Sequence, residues 1–416
     1  MFGALVGIVV AFFAYFFLKG VSEAQHYIFE TLPTEVGFDS EPTWWPLPWP
    51  PLAGLLVALT IRYLPGTAGH KPAEGFKTGG PVMPIELPGI VVASLATLCL
   101  GVVLGPEAPL IAIGSGIGVL AVHLVKKDAP AQAIAVIGAA GSFAAISTLL
   151  GNPLVGAFLL MEAAGLAGPL LGVVLVPGLL AAGVGALIFV GLSDWTGYGT
   201  FSLAIPGIPP FGSPDGAEFL WAIAIGVIAA VLGAGIRRLA LALQPVVERR
   251  SIALTPVVGL GVAGLAIAFA GATDKSSSEV LFSGQAQLPQ LIQSAADWSV
   301  GALVLLLVCK GLAYGLSLSS FRGGPVFPAL FLGGALGIVL SHGPGLPLIA
   351  GVGMGIGAMS VAMLNLPLTS VLLASVFLAS DAVSLMPLII LAVVVSYVSS
   401  AWIGPRTARV KPAAST

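Results

Sequence analysis

The sequence predicts an all-α membrane protein, a bundle of spanning and broken helices arranged as two inverted halves. Three observations predict it. The 416 residues are 57% hydrophobic and only 8% charged, with a mean hydropathy of +1.05, whereas a soluble domain carries about 25% charged residues. The 55 glycines and 32 prolines cut the apolar sequence into pieces; small residues let membrane helices approach closely and prolines mark breaks. Four sequence blocks then recur in the same order further along the chain.

Apolar stretches cover 2–30, 51–64, 87–105, 108–125, 131–150, 152–192, 218–245, 252–271, 298–319, 325–341, 346–365, 367–380 and 385–403. The first opens on MFGALVGIVV, without a basic segment or a small-residue cleavage site, and reads as a retained helix. A full crossing takes about 20 residues. Several stretches are shorter, or are cut by Pro and Gly at 105–109, 151–153, 323–328 and 365–367, and read as half-helices meeting inside the membrane. Polar sequence at 31–50, 194–218 and 272–285 supplies connectors. Trp44, Trp45 and Trp49 read as an interfacial aromatic cluster. Cys99 and Cys309 lie in apolar runs and read as buried free thiols.

The repeat sets the domain organisation. LVGIVVAF around Gly7 resembles AIGVIAAV around Gly226, 219 residues on. PPLAGLLVAL at 50–59 resembles TPVVGLGVAG at 255–264. GPEAPLIAIGSGIGVL at 105–120 resembles GGPVFPALFLGGALGIVL at 323–340, with Pro109 on Pro328, again 219. The block at 137–160 resembles that at 352–375, with Pro153 on Pro367 at an offset of 214. The expected division is a first half at 1–192, a connector at 193–217, a second half at 218–404 and a short tail at 405–416. The loop after the first helix holds Glu35, Asp39 and Glu41 and no basic residue, whereas its counterpart holds Arg249 and Arg250 after Arg237 and Arg238. Basic loops stay inside, so equivalent loops lie on opposite faces and the halves are inverted. Arg406, Arg409 and Lys411 place the tail in the cytoplasm.

Glu107 is the most informative residue. It sits in Gly105-Pro106-Glu107-Ala108-Pro109 between two membrane-grade stretches, where an ionisable side chain is expensive and functional by default. Both halves place a Gly/Pro break before an apolar helix: GPEAP in one, GGPVFP in the other. A helix start offers free N–H donors and about half a positive charge, and glycine lets backbone approach a ligand. Two such starts facing one point make an anion site without a full basic charge, weak enough for an ion to leave again. Ionised, Glu107 competes with the anion for those N–H groups; protonated or swung aside, it frees them. A helix-capping Glu with no other role is the plainer alternative.

These residues resemble the CLC chloride channel and transporter family. GPEAP is similar to its G-[RK]-E-G-P signature, GGPVFP to its G-x-F-x-P signature, and NPLVGAFLLME and NLPLTSVLLAS to its paired N-x-P-L-x-G helices, a likeness running from Gly7 to about Gly404. The resemblance implies a homodimer in the plasma membrane, one anion pathway per subunit, and Glu107 as the gate. It implies anion contacts at Gly69, His70, Lys71, Gly105, Pro106, Ala108, Gly324, Pro325, Val326 and Phe327.

The departures bear on mechanism. The family's G-S-G-I-P loop carries a serine hydroxyl at the inner anion site; here the stretch is Ala68-Gly69-His70-Lys71-Pro72, with Gly69 in the serine's place. Lys71 draws anions to the inner mouth or is a solvated loop residue; His70 is a pH-sensitive donor or an ordinary loop histidine. Ala163 falls where proton-coupled members carry an inner glutamate, and Glu162 is one residue away, about 100° round a helix. Glu162 is a structural, paired carboxylate or part of a proton path. The central tyrosine's place falls near Ala408, and Tyr397, about three turns earlier, reads as packing or interfacial. Pro106 stands in the signature's basic position, and Val326 takes the phenylalanine's place with Phe327 beside it. Lys310 snorkels, pairs with an acid, or adds positive potential along the pore. His123, Lys126 and Lys127 mark a helix end, and Asp381 another.

The resemblance implies chloride transport, channel-like or weakly proton-coupled. Proton-coupled exchange of chloride or fluoride is an alternative, and an unrelated organic-anion transporter, for which only Lys310 offers a basic residue, is one of another class. A non-conducting scaffold has no use for Glu107 between two prolines. No nucleotide-binding, metal-ligand or nucleophile–His pattern is present, and no basic run suits nucleic acid; neither an enzyme nor a cofactor is expected.

Overall fold

The structure is a computed structural model and describes residues 1–76, 80–166, 168–197, 211–212, 214–378 and 382–403. Asp381, Ala408 and the tail with Arg406, Arg409 and Lys411 lie outside the described residues.

The described chain is helical. The first half holds α1 (Phe2–His26), α2 (Leu32–Glu35), α3 (Trp49–Tyr63), α4 (Leu87–Cys99), α5 (Glu107–Val125), α6 (Ala131–Leu150), α7 (Pro153–Ala164) and α8 (Pro169–Thr196). The second holds α9 (Gly216–Arg249), α10 (Ser251–Thr273), α11 (Gln287–Gln293), α12 (Val300–Ser320), α13 (Val326–Ser341), α14 (Leu348–Leu364), α15 (Pro367–Leu378) and α16 (Ala382–Ile403). Among the described residues eight helical stretches are long and apolar enough to cross a membrane, whereas α4, α7, α13, α14 and α15 are apolar but shorter.

Two boundaries differ from the sequence expectation. The first helix does not stop near residue 30: a π-turn at Tyr27–Thr31 carries it into α2. Pro33 lies near the end of that continuous helix, just beyond the π-turn, as helix distortions commonly accompany proline, and Phe29 is buried against Phe282 and Trp49. The stretch 152–192 is two helices, because Gly165 ends α7 in the left-handed conformation, φ 60°. The aromatic cluster forms as expected, with Trp45 between Trp44 and Trp49. Cys99 and Cys309 are free, Cys309 buried as expected but Cys99 only half-buried.

Packing repeats with the sequence. A Cβ on Gly114 of α5 would lie 2.4 Å from the carbonyl of Gly141 on α6, and one on Gly333 of α13 would lie 2.3 Å from that of Gly355 on α14. These equivalent backbone contacts bring each pair of helices together closely. Between the halves, Gly54 of α3 meets Thr255 of α10, and Gly259 of α10 meets Pro50 of α3. The close packing leaves the starts of α5 and α13 buried at the centre.

Candidate functional site

The two helix starts are joined by backbone. Gly105 N–H donates to Gly324 O at 2.8 Å, and Gly324 N–H donates to Gly105 O at 2.6 Å. This is an isolated antiparallel bridge between residues 219 apart in sequence. Pro106 and Pro325 follow as N-caps, and α5 and α13 begin at Glu107 and Val326. The segments leading in are tied reciprocally as well. Val103 N–H donates to Ser317 Oγ at 3.2 Å, and Arg322 N–H to Thr97 Oγ1 at 3.4 Å. Each half thus supplies a hydroxyl that fixes the other half's approach to the centre.

Glu107 lies across this joint. It is 0% exposed. Its Oε1 accepts the N–H of Phe327 at 2.7 Å, and its Oε2 has no hydrogen-bond partner. A Cβ on Gly324 would stand 1.7 Å from Oε2, and one on Gly105 would stand 2.3 Å from Oε1. The carboxylate therefore fits only because neither glycine has a side chain. It occupies the first turn of α13, where free N–H groups and the helix dipole favour negative charge. Tyr314, fully buried on α12, donates its hydroxyl to Pro325 O at 2.7 Å and fixes that helix start.

A cavity of about 510 Å³ leads to the joint, lined among others by Gly69, His70, Ala108, Ser142 and Pro325. Gly69 turns with φ +99°, a backbone conformation suited to glycine. His70 Nε2 lies 2.8 Å from Gly75 O, so one ring nitrogen is engaged within its own loop. Lys71 is turned aside: its Nζ pairs with Glu248 Oε1 of α9 at 2.8 Å. The structure thus gathers Gly105, Pro106, Glu107, Ala108, Gly324, Pro325, Val326 and Phe327 at one point, with Gly69 and His70 along the cavity and Lys71 beside it.

Glu162 is elsewhere. Its two oxygens accept Leu368 N–H at 3.0 Å, Thr369 N–H at 2.7 Å and the Thr369 hydroxyl at 2.6 Å. It caps α15 from α7 and joins the paired helices of the two halves. Lys310 is fully buried and donates to the carbonyls of Glu279 (2.8 Å), Val280 (3.2 Å) and Leu281 (2.8 Å), with its ammonium 4.3 Å from the centre of the Phe331 ring. It stitches the turn after α10 onto α12 and α13. His123 closes the last turn of α5, and Lys126 and Lys127 follow it, exposed. Tyr397 is 42% exposed on α16.

Sequence reasoning missed Tyr314 and Arg322. Arg322 had a visible signal, a charged residue directly before Gly323-Gly324-Pro325. Tyr314 had none, because its role depends on which way α12 faces.

A family model described as voltage gated chloride channel matches residues 53–401. Similar curated proteins include YfeO of Escherichia coli O1:K1 / APEC, a protein named for ion transport, 30% identical over 346 residues that cover 82% of this chain and 79% of that one. YfeO of Escherichia coli O139:H28 (strain E24377A / ETEC) is 29% identical over the same shares. Among solved structures, a slow cyanobacterial Cl⁻/H⁺ antiporter superposes with a TM-score of 0.76 at 18% identity, covering 97% of this chain and 94% of that one. A CLC-type fluoride/proton antiporter superposes with a TM-score of 0.72 at 19% identity, covering 96% and 95%. The fold is that of a multi-pass membrane protein. The chain belongs to the voltage gated chloride channel family, and its function is CLC-type anion transport.

Proposed function

We propose that this chain moves chloride through a pathway gated by Glu107, channel-like or with weak proton coupling, one pathway in each subunit of a plasma-membrane homodimer with its C-terminus in the cytoplasm. The observation that carries the reading is the Glu107–Phe327 hydrogen bond of 2.7 Å over the Gly105–Gly324 joint. A carboxylate on a helix start holds the place of an anion. When it leaves, the same N–H groups are free for chloride, and the cavity beside Gly69 and His70 supplies the approach. Weak coupling is supported by Glu162, whose oxygens are committed to α15. Proton-coupled exchange of chloride or fluoride is the second reading. It is favoured by the unpartnered Oε2 of Glu107, an atom able to take a proton.

The test is efflux from liposomes holding the purified protein, with chloride and internal pH followed together. Chloride efflux that needs a potassium shunt and moves no protons is expected. Uphill proton movement driven by the chloride gradient selects the second reading, as does flux of fluoride without chloride. Glu107→Ala keeps or raises the flux and removes its pH dependence; a folded Glu107→Ala protein without flux overturns the gate.

A further inference from the structure

Arg322 and Val103 occupy equivalent places, 219 residues apart, two positions before the paired glycines. Their backbones are held alike, each N–H donating to a hydroxyl of the opposite half. Their side chains are not alike. Val103 is fully buried and apolar, while Arg322 puts a guanidinium into a largely closed setting, 8% exposed. The pseudo-symmetric frame therefore carries a fixed positive charge on one approach to the centre and none on the other.

That charge is not neutralised by the protein. A guanidinium has five N–H donors. Arg322 Nε donates to Thr67 O at 3.1 Å and Nη1 to Phe321 O at 3.2 Å, leaving three unspent. Among the described residues no carboxylate comes within ion-pairing distance of it. The carboxylates that act on it from further off are Glu248, already joined to Lys71 and Gln244, and Glu74. Lys310 offers the contrast: it too is buried, but its three donors meet three carbonyls. Burying a charge is costly unless something pairs with it. Arg322 does not itself line the cavity but adjoins it twice: its Nε is bonded to Thr67 and its backbone is three residues before Pro325, and both of those residues line it.

We propose that Arg322 is an anion-binding residue of this pathway. A small inorganic anion entering from the cavity is held by its unspent N–H groups before it reaches the Gly105–Gly324 joint. The anion is the missing counter-charge, and Val103 leaves the opposite approach without an equivalent site. This inference rests on the reading of the chain as an anion pathway and adds to it a side chain that sets occupancy on one side of the gate.

The experiment is calorimetric titration of chloride into the full-length protein in detergent, for wild type, Arg322→Met and Arg322→Lys. Arg322→Met should bind chloride about tenfold or more weakly, the factor that losing one hydrogen bond to a charged group corresponds to. Arg322→Lys keeps the charge and should retain more of the affinity. Wild-type affinity in a monodisperse Arg322→Met protein overturns the proposal. If that variant does not fold, wild-type crystals grown in bromide decide it by anomalous scattering. Bromide at hydrogen-bond distance from the guanidinium supports the site, and bromide confined to the Gly105–Gly324 joint overturns it. A wild type that neither binds nor moves halide removes the reading beneath; a binding wild type with an unchanged Arg322→Met removes only this inference.

Discussion

The carboxylate of Glu107 is held by the backbone N–H of Phe327, 220 residues further along the chain, at 2.7 Å. The carboxylate of one half is thus latched to the helix start of the other. The strength of the latch depends on how well that helix start is fixed, and Tyr314 and the Gly105–Gly324 bridge fix it.

Gly324→Ala is expected to evict the Glu107 carboxylate. The new methyl would lie 1.7 Å from Oε2, with Ala108 N at 3.0 Å on its other side, and the far end of a flexible Glu yields before backbone does. Anion efflux from liposomes, followed from about pH 4, near the ordinary carboxylate value, up to neutral pH, should lose its pH dependence. A wild-type pH profile would show that the carboxylate does not rest there.

Glu162→Ala removes the cap on α15 and is expected to cost about 1–2 kcal/mol of stability, read as a lower melting temperature in detergent. Flux per folded molecule, and any proton movement, should stay within about twofold, a change worth under 0.5 kcal/mol. Loss of proton movement with stability unchanged would instead place Glu162 in a proton path.

Lys310→Met strips the donors from three carbonyls in and beside a buried turn. Each buried carbonyl left without a donor costs about 1–3 kcal/mol, so poor yield or early thermal aggregation is the expected outcome. A stable variant with altered anion selectivity would show that the ammonium acts on the pathway instead.

Glu41 gives a pH prediction outside the membrane-spanning helices. Its carboxylate accepts hydroxyls from Ser276, Ser277 and Ser278. Burial nonetheless pushes its pKa above the usual carboxylate value, and the serine hydrogen bonds offset only part of that. A raised folded pKa means that its contribution to stability is complete below the unfolded value and is lost as pH rises through the folded one. Glu41→Gln should therefore flatten the decline in melting temperature over that interval. A decline of unchanged slope would assign it to other groups.

Much of this was legible in the sequence. The offset of 219 between Pro109 and Pro328 anticipates a structure in which Gly105 meets Gly324, because a Gly/Pro break inside apolar sequence needs a partner for its bare backbone. Glu107 was legible because an acid there has few innocent explanations. Glu162 was half legible: its spacing raised the doubt, but only the position of Thr369 on a helix of the other half shows what it holds. Lys71 was open between two readings until its partner on α9 appeared. The π-turn at Tyr27–Thr31 was not read from the sequence, although Pro33 just beyond it, in a stretch that also holds Glu30 and Thr31, was a visible mark. Long-range pairing decides each of these, and periodicity carries no record of it.

The joint between Gly105 and Gly324 is main chain to main chain, with no side chain taking part. A frame of that kind has no vocabulary of its own. On the pathway proposed above, it fixes where an ion crosses and leaves which ion, how tightly and from which side to be written by the residues around it. One approach here is written with valine and the other with arginine, so the proposed crossing, built on a nearly two-fold backbone, is furnished with a direction.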